Sequence, residues 1–130
     1  MFMVYDPLGN RVVFYEKTWL LHTLPKRTER DERVPDLGDV RESVLNPDQI
    51  RRSSHPIIGN QSCIFEKFIG PENLLLRTPV IYDLADGTTY DDASQSSGRI
   101  ATSFYPDPPF QSKNVGEIFW KKPKDKEGEQ

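Results

Sequence analysis

The chain has too little of several things for some functions to be open to it. It has a single cysteine, Cys63, so no internal disulfide can form, and no Cys/His spacing resembles a zinc site. It has no apolar run approaching the ~18 residues that suggest a membrane span. The opening "MFMVYDPLGNR" lacks the basic and apolar regions of a secretory signal. A soluble, cytoplasmic protein without cofactors or metals and with no membrane partner is the expectation. Excess positive charge is also missing. The formal net charge is -3, which argues against a broad basic coat for nucleic acid, because phosphate binding normally draws on surplus Lys and Arg. No internal repeat is visible, and only two histidines, His22 and His55, are present.

What is there is one domain's worth of chain. Its 130 residues are 28% charged and 35% hydrophobic, and it carries 7 Phe, 2 Trp and 5 Tyr, more aromatic side chains than disordered chains keep. Basic and acidic residues balance over residues 1–60, while four aspartates fall between Asp83 and Asp92. Any cationic patch must therefore be assembled by folding. A domain over residues 1–120 and a disordered charged tail over 121–130, "KKPKDKEGEQ", are expected.

Periodicity and turn chemistry divide the domain. Phe2 to Tyr5, "DPLGN" and Arg11 to Tyr15 predict a hairpin. "EKTWLLHTL" sets Trp19, Leu20 and Leu24 in one sector of a short helix that Pro25 is expected to stop. The charge run "KRTERDERVP" reads as a loop or helix extension. Asp36 is a good N-cap for a second helix with Leu37, Val40 and Val44 on one face. Strands are predicted at Gln49 to Ser53, Ser62 to Ile69, Leu74 to Tyr82, Gly98 to Tyr105 and Gly116 to Trp120. Short helices followed by a mostly antiparallel meander make an α+β pattern.

Alternation along "SGRIATSFYPDP" sends Arg99, Ala101, Ser103 and Tyr105 to one face and Ile100, Thr102 and Phe104 to the other. In "SCIFEKFI" it sets Cys63, Phe65, Lys67 and Ile69 against Ile64, Glu66 and Phe68. Arg, Lys, Ser, Tyr and Phe on neighbouring strands can hold a phosphate and stack a base. A half-exposed sheet with ordinary polar decoration explains those residues equally well. His55, before Pro56 in a loop, reads as an exposed bystander.

The order of "VVFYEKTWLLH", "ESVLNPDQIRRS", "CIFEKFI", "LLLRTPVIY" and "RIATSFYP" resembles the nucleases of the barnase, EndoU, colicin and RelE fold, in particular their phage-associated group. The resemblance runs from about Arg11 to Trp120. It implies one or two short N-terminal helices on a twisted, mostly antiparallel sheet of four to five strands. It also implies a metal-independent endoribonuclease toxin that cleaves RNA, tRNA being one candidate, with an antitoxin or immunity protein as partner. Carried over by position, His22 becomes the acid/base group, Lys67 or Arg51 the phosphate clamp, and Thr102 or Ser103 the positioning hydroxyl. Arg99 adds charge at the mouth, and Phe104 or Tyr105 stacks a base. A bulge near Ala101 would reconcile the opposite faces of Thr102 and Ser103. The alternative from another class is a non-catalytic toxin or adaptor that binds a protein.

Overall fold

The computed structural model describes residues 1–30, 32–84, 96–106 and 115–123. Seven strands form one sheet in the order β1-β2-β6-β5-β4-β3-β7. They are β1 (Phe2–Tyr5), β2 (Arg11–Phe14), β3 (Gln49–Ser53), β4 (Ser62–Ile69), β5 (Leu74–Asp83), β6 (Ser97–Ile100) and β7 (Val115–Lys121). Every neighbouring pair is antiparallel except β2 with β6. The fold class is thus α+β, as expected, but the expected four to five strands are corrected to seven. The N-terminal hairpin joins the main sheet through the parallel pairing, and β7 pairs on the far side of β3. The proposed tail boundary also shifts, since Lys121 lies in β7, while residues 124–130 are outside the described residues.

The hairpin turn is built by one side chain. Asp6 Oδ1 accepts from the backbone N–H groups of Leu8 and Asn10, both at 2.9 Å, and Gly9 supplies the positive φ of 86°. Asp6 Oδ2 also accepts from the buried Tyr82 hydroxyl at 2.5 Å, tying the turn to β5. Burial and the neighbouring Cys63 and Asp6 push the Tyr82 phenol well above its ordinary pKa. Gly98 is required opposite that ring, because a Cβ there would lie 2.8 Å from Tyr82 Cδ1.

The first helix does not stop at Pro25. Residues 16–29 run as α1 (Glu16–Thr18), a π-helical turn (Trp19–Thr23) and α2 (Leu24–Glu29). The wide turn is closed by Leu24 N–H on Trp19 O, immediately before Pro25, which has no N–H to place. A π turn at that point relaxes the ladder where the proline ring would otherwise clash. It brings Trp19 against the core, edge-on to Phe14, with Thr23 and Arg27 buried four and eight residues later and His22 exposed.

The helix α3 (Leu37–Leu45) starts as the sequence predicts, with Asp36 Oδ2 accepting from Gly38 N at 3.0 Å. Its Val40 and Val44 pack on the sheet with Val12, Phe14, Ile50, Phe65, Val80 and Ile100, all 1% exposed or less. Each such side chain contributes roughly 1.5–3 kcal/mol, so this layer is the core. No helix among the described residues is long and apolar enough to cross a membrane.

Candidate functional site

The face of the sheet turned away from α3 holds a cluster of charged and polar side chains, and strand register arranges them in rows. One row runs Gln49, Glu66, Arg77, Phe104; the next runs Arg51, Ile64, Pro79 and Ala101; the third includes Ser62, Ile81 and Arg99. In the first row Glu66 is fully buried, and a buried carboxylate must be paired. Its Oε2 accepts from Arg77 Nε at 2.6 Å, and its Oε1 accepts from Arg51 Nε at 2.7 Å and Gln49 Nε2 at 2.6 Å. Burial alone would raise the Glu66 pKa; the hydrogen bonds from Arg77, Gln49 and Arg51 outweigh it and hold the carboxyl below its ordinary range.

Two guanidinium groups against one carboxylate leave a net positive charge. Arg77 is almost fully buried at 3% side-chain exposure, whereas Arg51 keeps 27% and reaches Gly116 O with Nη1 at 3.2 Å. Both arginines use Nε on Glu66, which fixes the planes of their forks. Arg99, by its register opposite Ile81, adds a third cation to the same face and is exposed.

Beside the cluster lies a cavity of about 210 Å³, floored by Ile64, Pro79, Ile81 and Ala101, with Arg77 and Phe104 at one end and His55, Ser53 and Ser62 around it. Phe104 is backed by the Arg27 guanidinium, 5.2 Å from its centroid. Desolvation lowers the Arg27 pKa against the opposing pull of Glu32, which it meets at 3.2 Å. His55 Nδ1 accepts from the amides of Ile57 at 3.1 Å and Ile58 at 3.3 Å. The neutral ring therefore carries its proton on Nε2. Far from being an exposed bystander, His55 is half-buried on the cavity wall.

The predicted site residues separate into those that meet here and those that do not. Arg51, Arg99 and Phe104 are on this face. His22 is exposed on the π turn, with Trp19 and Thr23 taking the positions toward the core. Lys67 points to the α3 side, where Nζ donates to Asn46 O at 2.8 Å and so caps the end of that helix. The alternation of "CIFEKFI" is as expected, but the face chosen for the ligand is the core face.

Beyond Ile100 the expected strand is interrupted. Ala101 pairs with Pro79 and Phe104 with Arg77, so three steps on one side oppose two on the other, a β-bulge. Pro79 supplies the reason: it accepts from Ala101 N but has no N–H to return, so the ladder lapses there. The bulge inverts the alternation. Phe104 turns to the cavity, and Ser103, expected on the polar face, is fully buried, its Oγ 2.9 Å from Thr78 Oγ1, which in turn lies 2.8 Å from Ser43 Oγ. Thr102 meets Thr23, hydroxyl to hydroxyl, at 3.3 Å. Tyr105 lies under the Arg33 guanidinium, 5.2 Å from its centroid, and burial, with Asp39 nearby, raises its pKa. The acidic stretch of residues 85–95 and the segment 107–114 lie outside the described residues.

Glu66, Arg77, His55 and Ser62 were missed by sequence reasoning. A signal for the first two exists: a charge in the middle of an otherwise apolar strand must find a partner across the ladder. Compared with known proteins, the chain gives no significant match to a family model, a curated protein or a solved structure.

Proposed function

We propose that the protein is a metal-independent endoribonuclease that holds an RNA phosphodiester over the Arg51–Glu66–Arg77 cluster, in line with the nucleases its sequence resembles. The observation that carries the reading is the convergence of two fork-oriented arginines on one buried carboxylate beside a cavity with an imidazole on its wall. Cleavage by the 2′-hydroxyl needs a proton acceptor, an electrostatic partner for the charge developing on phosphorus, and a proton donor to the leaving 5′ oxygen.

Arg77 and Arg51 fill the electrostatic role, a guanidinium fork matching two oxygens of a phosphate. Glu66 is the proton acceptor. Its lowered pKa keeps it ionised, and a phosphate that draws the two arginines toward itself removes the bonds that depress its basicity. His55 is the donor; serving as the acid requires protonation at Nδ1, at the cost of the two amide bonds it now accepts. These roles replace the expected His22 and Lys67.

Purified protein incubated with total RNA and with tRNA in EDTA tests the reading. Cleavage with 2′,3′-cyclic phosphate ends, reduced ~10²-fold or more in Glu66→Gln and in His55→Ala, is expected. Intact RNA would instead favour the protein-binding alternative.

A further inference from the structure

We propose that the cavity beside the arginine cluster is a nucleobase subsite, in which Ser62 Oγ hydrogen-bonds the edge of the base while Ile64, Pro79, Ala101 and Phe104 contact its faces. This rests on the ribonuclease reading for its phosphate partner, but its geometry is independent of Glu66.

Three observations converge on it. First, the size and lining suit a flat heteroaromatic ring. At about 210 Å³ the cavity is smaller than the ~300–1,000 Å³ of sites for drug-sized ligands, and its floor is aliphatic. Second, the cavity is continuous with the cation end of the site through Arg77, so an occupant attached to a ribose phosphate would place its anion beside Arg51 and Arg77. Third, Ser62 is 97% buried by its 3% exposure, lines the cavity, and its Oγ has no hydrogen-bond partner among the described residues.

The third point decides between a ligand site and a packing gap. A buried hydroxyl without a partner destabilises a fold, and alanine at the same place would carry no such penalty. Ser62 begins β4 opposite Ile81, where an apolar side chain would pack as well. A hydroxyl at that place is satisfied once a ring edge offers a donor or acceptor.

The test titrates the four uncharged nucleosides and, separately, inorganic phosphate into the full chain, following backbone amide shifts of Ser62, Ile64 and Ala101 by NMR. At least one nucleoside is expected to bind saturably, in roughly the millimolar range or tighter. Ser62→Ala is expected to weaken it roughly 3- to 10-fold while melting at the same or a higher temperature. Ala101→Leu, which fills the cavity, should abolish nucleoside binding and leave phosphate binding unchanged. Phosphate binding without nucleoside binding, nucleoside binding indifferent to both variants, or a Ser62→Ala protein that melts several degrees lower would each overturn the subsite. RNA left uncleaved while nucleosides bind and respond to both variants would overturn the ribonuclease reading and leave the subsite standing.

Discussion

At the scale of single residues, Glu66 carries the most weight. It sits between two arginines with no exposure, so removing it strands positive charge inside the sheet. Glu66→Ala is expected to cost about 3–5 kcal/mol in urea unfolding, the usual penalty for breaking a buried pair by deleting one partner. Acid should act in the same direction. The folded-state pKa of Glu66 is depressed, so its contribution to stability is fully present above the unfolded value near ~4.3 and drains away as pH falls through the folded value. Unfolding followed from pH 7 to pH 2 should therefore show a loss of stability below about pH 4.5 that Glu66→Gln lacks. The strand alternation of "CIFEKFI" was legible, but which face packs under α3 was not. Lys67 looked like a phosphate binder until α3 placed a carbonyl within its reach, a contact made by residues 21 positions apart.

At the scale of elements, the hairpin, the α3 cap and strands β3 and β4 were readable because local chemistry decides them. Asp36 as N-cap is worth about 1 kcal/mol, and Asp36→Ala should lower stability by that amount in thermal unfolding without altering the sheet face. Two elements escaped, each for a reason involving proline. Pro25 was expected to end a helix that instead continues through a π turn, which rotates Trp19, Thr23 and Arg27 to the buried side and His22 away. Pro79 withholds a ladder donor, and the bulge that follows exchanges the faces of Ser103 and Phe104. The buried run Ser43–Thr78–Ser103 depends on that exchange. Thr78→Val should cost about 1–3 kcal/mol by leaving Ser103 Oγ without its partner, measured by the urea midpoint.

For the molecule as a whole, the fold separates two jobs by face. The α3 side buries the apolar core, and the opposite side sets Arg51 and Arg77 on one carboxylate, with His55 on the cavity wall and Arg99 further along the same face. A chain with net charge -3 thus folds into a sheet that sets two arginines against one carboxylate, a local positive excess that composition alone does not show. A patch built from few charges predicts a shallow salt dependence of RNA binding, with a slope corresponding to about two or three released counterions, which filter binding across a salt series would measure. The end chemistry of RNA cut in EDTA by the wild type and by Glu66→Gln tests the ribonuclease reading at its base. Fragments ending in 2′,3′-cyclic phosphate are expected from the wild type, with a loss of ~10²-fold or more in the variant; intact RNA, or equal cutting by the two proteins, would rule out Glu66 as the proton acceptor.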